Sequence, residues 1–344
     1  MITLPPIAPL DPHLEQKLHA YIDGLAKPPG SLGRLEEIAL RIGLIQNKPN
    51  PAIKRPMVFV FAGDHGLTED GVSRYPASVT GAMVQTFLAG KASANALAKA
   101  VGADMRVVDA GVATPVAPHP NLIDAKVRAG TANAAREPAM TAAQADEALK
   151  RGIEIARQAV AEGCDAIALG EMGIGNTASA ALIMHRLTST PLPLCVGRGA
   201  GHDDAGLARK LAVLERAADR SPVTDPMAVL TEFGGCEIAM MAGAVLGAAS
   251  ARCVVVVDGF ISSAAALAAI RLEPRAKDYC LFAHCSAEAG HKRLLEALDA
   301  RPLLNLDMRL GEGTGALLAM PLIKAAANIL TEIATLDDVL NGKL

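Results

Sequence analysis

The chain has 344 residues, enough for one large α/β domain with a smaller satellite. Hydrophobic residues make up 51%, charged residues 20%, and the net charge is −3, a balance that excludes a disordered chain and any general attraction to nucleic acid. Aromatic residues are 3% and Trp is absent, which excludes a base-stacking platform for single strands.

The opening MITLPPIAPLDPH lacks the basic and apolar regions of a secretory signal, so a cytoplasmic location is expected. Two helices are predicted next, around Leu14 to Leu25 and Leu35 to Ile45, separated by KPPGSLGR. Short apolar, β-branched runs then recur, each closed by a Gly- or Asp-containing turn: PMVFVFAGDHG, MRVVDAG, DAIALGEMG, LPLCVGRG, RCVVVVDG and YCLFAHCS. Helical patterns lie between most of them. Thr141 opens one as TAAQ, a capping box in which Thr141 and Gln144 satisfy the first free N–H groups. Strands alternating with helices predict an α/β fold with a doubly wound, mainly parallel, Rossmann-like sheet. The closing stretch after Glu312 reads as helical, so a small helical domain is expected from both chain termini.

The most apolar stretches run from Ile238 to Ser250 and from Ala316 to Leu330. The first ends at Arg252, and Pro321 and Lys324 interrupt the second. Neither offers roughly 20 clean residues for a span, so both are expected to be core helices and no membrane partner is expected. The six cysteines show no CxxC pair or metal-finger spacing and read as buried free thiols of a reducing compartment.

Three turns carry candidate chemistry. GEMGIGNTASAA (170–181) follows a strand and opens a helix, whose N-terminus offers free N–H groups and a positive dipole end to an anion. It lacks the GK[ST] ending of a Walker loop, and a plain strand-to-helix packing turn would use the same glycines. VGRGAGHDD (196–204) is expected to follow the next strand and to share one phosphate with the first turn, with Arg198 and Lys210 as cationic contacts. RLGEGTGALLAM places Glu312 between two glycines at the head of an apolar helix. It is either a general base with room for a flat ligand beside it or simply a favourable charge at a helix N-terminus. Asp64 and His65, Asp258, and His284, Ser286 and Glu288 are further candidates. Asp64 and His65 alone lack the neighbours that would complete a metal site, so a structural strand-end role is expected. VVVVDGF lacks the paired acids of transferases that use a pyrophosphate-activated ribose, which removes the main argument for magnesium.

KPPGSLGRLE, AGDHG followed by GVS, GEMGIGNT, GRGAGHDD, DGFIS, HCSAEAGH and RLGEGTGA occur in this order across most of the chain. Together they closely resemble the nicotinate-nucleotide:dimethylbenzimidazole phosphoribosyltransferase family of cobalamin biosynthesis. The resemblance implies a small helical domain (1–50 plus 312–344), a large α/β domain with the nucleotide site (51–311), a homodimer, and activity without metal or cofactor. Its substrates would be nicotinate mononucleotide and a benzimidazole-type base.

Position by position, Glu312 matches the family's general base. Glu171, Gly173, Ile174, Gly175 and Asn176 match the loop that holds phosphate and ribose, with Gly199 and Gly201 in the second phosphate turn and Lys210 downstream. Asp258, Phe260, Ser286 and Glu288 match elements near the base, beside Leu310 and Gly311. The sequence departs from the family at Tyr75 and Met83, where other members place a small hydroxyl and an amide toward the acceptor. That leaves a purine or phenolic acceptor open. A catalytically silent nucleotide-binding protein and a nucleoside-processing hydrolase are the readings from other classes.

Overall fold

The computed structural model describes residues 3–199 and 201–343; Met1, Ile2, Leu344 and Ala200 of the second Gly-rich turn lie outside it. Six strands among the described residues form one sheet: β1 (Pro56–Gly63), β2 (Asp104–Gly111), β3 (Leu122–Asp124), β4 (Ala166–Met172), β5 (Val254–Val257) and β6 (Cys280–Phe282). Their order is β3-β2-β1-β4-β5-β6, and every neighbouring pair is parallel. β1 and β5 are apolar on both faces, as strands buried between helical layers must be. Val58, Val60 and Phe61 of β1 are fully buried, as are all four valines of β5.

This order reverses direction between β1 and β4, whose registers run Val58↔Ala168 and Phe61↔Glu171. Crevices outside the carboxyl ends of strands at such a reversal are where open α/β sheets bind ligands. Gly63 and Met172 end the two strands there.

Thr141 caps the helix Ala142–Ala161 as its sequence predicts. Its hydroxyl accepts from the Gln144 N–H at 3.2 Å, and Gln144 Oε1 accepts from the Thr141 N–H at 2.9 Å. That helix packs on Cys236–Ser250, which is buried from Cys236 to Ala249. The helix Thr314–Glu332 is long and apolar enough to cross a membrane by composition, yet 61% of its most apolar stretch is buried inside the fold. The chain ends meet: the Ala26 N–H donates to Ala334 O and the Leu336 N–H to Gly24 O, both at 2.9 Å. The helix Arg34–Gln46 packs on Thr314–Glu332, which also lies against β4.

Two local expectations need correction. LPLCVGRG holds no strand; Leu192–Cys195 is a short helix, with proline in its first turn. Pro193 has no N–H to give a sheet ladder, whereas the first turn of a helix tolerates it. The second Gly-rich turn therefore follows a helix, not a strand. The three residues of β3 went unpredicted, because so short a run has no readable period.

Candidate active site

The loop Gly311–Glu312–Gly313 turns over the end of β4 with three successive positive φ values of 86°, 61° and 81°. The two glycines adopt this region freely, but for Glu312 it costs about 1–2 kcal/mol. Such strain in a non-glycine residue marks a position fixed by its surroundings, as at functional sites. A Cβ on Gly170 would meet Glu312 O at 2.7 Å, so the loop rests directly on the β4 backbone.

The Glu312 side chain is buried. Its Oε2 accepts from the Ala94 N–H at 3.2 Å, in the first turn of the helix Ser93–Val101. Burial pushes its carboxyl above the usual glutamate range, and the Ala94 hydrogen bond only partly opposes this. The result is a carboxylate that takes a proton more readily than an exposed one.

Glu312 borders a cavity of about 630 Å³ between the carboxyl ends of β1, β4 and β5. Glu171 and Asp258 reach the same cavity. Burial raises Glu171 to about 8, helped by the charges of Asp258, Glu237 and Glu312, although the Asn176 side-chain amide donates to it. Burial likewise raises Asp258 to about 7 against hydrogen bonds from backbone N–H groups, among them Ala316 at 2.8 Å. Near neutral pH Glu171 is therefore mainly protonated and Asp258 partly so, which gives the cavity carboxyls that can donate as well as accept hydrogen bonds.

The opposite lip is apolar, with Val79, Met83, Phe260 and Leu310 offering flat surface. The first turn of the helix Asn176–Thr188 opens onto the cavity through Gly173, Ile174, Gly175, Asn176 and Thr177. The Ile174 N–H is held by Thr80 Oγ1 at 3.1 Å, which fixes the loop before the helix begins. Behind it Lys210 is fully buried, donating to Thr177 Oγ1 at 2.9 Å and Gly197 O at 3.2 Å. Burial lowers its ammonium to about 8 against the pull of Glu288.

Known proteins resemble the chain over most of its length. Residues 7–339 match a family model described as phosphoribosyltransferase. The chain belongs to this phosphoribosyltransferase family. The nicotinate-nucleotide–dimethylbenzimidazole phosphoribosyltransferase of Cupriavidus necator is 53% identical over 332 residues, covering 96% of each chain. The protein of the same name from Dechloromonas aromatica is 53% identical over 331 residues, covering 95% of each. Among solved structures, CobT from Thermus thermophilus superposes with a TM-score of 0.92 at 45% identity, over 95% of this chain and 98% of that one. The sheet expected from the sequence is thus the family's α/β fold.

Within this phosphoribosyltransferase the cavity brings together Tyr75, Met83, Glu171, Gly173, Ile174, Gly175, Asn176, Gly199, Asp258, Phe260, Ser286, Glu288, Leu310, Gly311 and Glu312. Lys210 and Gly201 stand off its wall. Lys210 Nζ lies beneath Gly199, where an added Cβ would come within 3.4 Å of it. Gly201 instead ties two loops, its carbonyl accepting from Arg74 at 2.7 Å. Arg198, a further cationic candidate, pairs with the exposed Asp204 and with His202 O, away from the cavity.

Sequence reasoning missed Arg309, which reaches the cavity wall and donates to Gly199 O at 3.4 Å. It was visible as the cation two residues before the Gly311–Gly313 turn. Ser73 was also missed; it contributes a hydroxyl to the wall next to Tyr75, whose N–H donates to it at 3.2 Å.

Proposed function

We propose that the protein transfers the 5-phosphoribosyl group of nicotinate mononucleotide to 5,6-dimethylbenzimidazole or a related base. The products are nicotinate and α-ribazole 5'-phosphate, for the lower-ligand nucleotide loop of cobalamin. The observation that carries this reading is Glu312, a buried carboxylate fixed in a strained turn where the flat apolar lip and the glycine loop of one cavity meet.

In the donor, ribose C1 bears a pyridinium nitrogen. The acceptor nitrogen attacks C1 from the opposite face, giving the α-riboside. As the C1–pyridinium bond breaks, its electron pair returns to the nicotinate ring, which leaves neutral at that nitrogen. Glu312 takes the proton from the other ring nitrogen of the acceptor, which makes the attacking nitrogen more nucleophilic and leaves the ribosylated ring neutral. Glu171, Gly173, Ile174, Gly175 and Asn176 hold phosphate and ribose, with Gly199, Gly201 and Lys210 behind or beside them. Tyr75, Met83, Asp258, Phe260, Ser286, Glu288, Leu310 and Gly311 frame the rings. The donor's own charge supplies the activation, so the mechanism assigns no step to a metal. Holding both reactants in line contributes much of the acceleration.

We propose with it a division of the chain into residues 1–50 plus 312–344 and residues 51–311, supported by the hydrogen bonds joining residues 24–26 to 334–336. We also propose a homodimer, for which the exposed Leu336, Val339 and Leu340 offer apolar surface. A cytoplasmic location belongs to the same proposal, and six free thiols are consistent with it.

The test is incubation with nicotinate mononucleotide and 5,6-dimethylbenzimidazole, followed by product chromatography. Nicotinate and an α-ribotide in equal amounts are expected. No nicotinate release with any base tried refutes the transferase, and release without a base points to hydrolysis.

A further inference from the structure

Beneath the glycine loop lies a polar group that the proposed chemistry leaves unused. His65 is 2% exposed, Glu237 0% and Ser179 1%. The imidazole Nε2 lies 2.6 Å from Glu237 Oε1, and Nδ1 lies 3.0 Å from Ser179 Oγ. Three elements meet at this ring. His65 follows β1, Ser179 stands in the first turns of Asn176–Thr188, and Glu237 stands in the first turn of Cys236–Ser250.

The ring also supports the loop directly. A Cβ on Gly173 would collide with Gly63 O and lie 3.3 Å from His65 Nε2. One on Gly235 would lie 2.5 Å from His65 Cε1 and collide with Glu237 Oε2. The backbone on both sides is thus drawn against the imidazole–carboxylate pair as closely as glycine allows.

We propose that His65, clasped by Glu237 and Ser179, is a positioning residue that sets the loop Gly173–Asn176 for the phosphate and ribose of the donor. The inference rests on the reading of that loop as the donor cradle.

The groups facing the imidazole are Glu237 from one helix, Ser179 from another and the neighbouring Asp64. Burial opposes a charge on the ring, but Glu237 and, less strongly, Asp64 outweigh it and hold the pKa above the usual histidine value. The upward shift favours an imidazolium, which donates from both nitrogens, and the two ring contacts join both helix starts. Glu237 Oε2 has no hydrogen-bond partner among the described residues. Removing the ring's charge would leave a buried carboxylate uncompensated, and its field reaches Glu171 on β4.

Steady-state kinetics of the full chain test the assignment, with donor and acceptor varied separately for wild type, His65→Gln, Glu237→Gln and Ser179→Ala. The KM for nicotinate mononucleotide should rise about tenfold in the first two variants and about threefold in Ser179→Ala, as expected for lost hydrogen bonds. The KM for 5,6-dimethylbenzimidazole should stay within about twofold, since the proposed function gives this loop to the donor. In parallel, ¹⁵N-histidine spectra of the wild type should show one histidine that titrates above the ordinary histidine range, a signal absent from His65→Gln. Folded variants with unchanged donor KM, or with both KM values raised alike, would overturn the proposal, as would a wild type in which no histidine titrates above the ordinary range. Should the two charged-pair variants not fold, Ser179→Ala and the wild-type spectrum decide. A wild type without turnover removes the donor cradle itself and this inference with it, whereas an active wild type with unchanged variants sinks the inference alone.

Discussion

Glu312 and Ala94 are 218 positions apart in the chain, yet the Glu312 carboxylate accepts the Ala94 backbone N–H at 3.2 Å. One oxygen is therefore held by a helix N-terminus while the side chain still borders the cavity. This bond fixes the orientation of the proposed base without a cationic partner, which would suppress its basicity.

The neighbouring carboxyls predict an unusual pH dependence of stability. Glu171 is raised from 4.5 to about 8 and Asp258 from 3.8 to about 7. Between those limits the folded protein keeps protons that the unfolded chain has released, so stability falls as pH rises. It is greatest below about pH 4 with respect to these two groups and is lost progressively toward pH 8. Thermal unfolding of the ligand-free protein should show the decline, and Glu171→Gln should flatten it. A melting temperature that climbs from about pH 5 to 8 through these groups would contradict the assignment.

Lys210 should matter to the donor alone. Its Nζ sits under the Gly199 turn and beside Thr177, so Lys210→Met keeps most of the packing and removes the charge. Binding of nicotinate mononucleotide, measured by calorimetry, should weaken roughly tenfold or more, the scale of a charge-assisted hydrogen bond. Acceptor binding should be unaffected.

Tyr75 and Met83 should govern acceptor choice. Tyr75 is 51% exposed at the cavity mouth, so its ring can move with the ligand. Replacing Met83 with Gln adds an amide where the wild type presents only a thioether. Acceptors with a hydrogen-bonding atom beyond the two imidazole nitrogens, as in a purine, should gain relative to 5,6-dimethylbenzimidazole in competition assays, with donor KM constant. An unchanged acceptor ranking would place the specificity elsewhere.

Metal removal should leave turnover intact, because the leaving pyridinium carries the activating charge. Dialysis against EDTA checks this; a large loss restored by a divalent ion would require a different mechanism.

What the sequence made legible followed physical rules. The valines of β5 and the apolar run of β1 announced buried parallel strands, and the glycines around Glu312 and Asn176 announced the turns. LPLC misled because its apolar residues read as a strand while Pro193 makes a helical turn. The His65–Glu237 pair spans 172 positions, and only folding brings such partners together. Arg309 was readable only as a cation near the Gly311 turn; its place in the cavity wall beside Gly199, 110 positions away, needed the fold.

The role of Glu312 as the base is tested most directly by a single variant. For Glu312→Gln, single-turnover nicotinate release should fall about 10²–10⁴-fold, while nicotinate mononucleotide binding stays within a factor of a few. The wild-type rate should rise with pH through a pKa above the ordinary glutamate value, since only the ionised carboxylate accepts a proton, and the variant should lack that limb. Turnover by Glu312→Gln at the wild-type rate, with the same pH profile, would contradict the account.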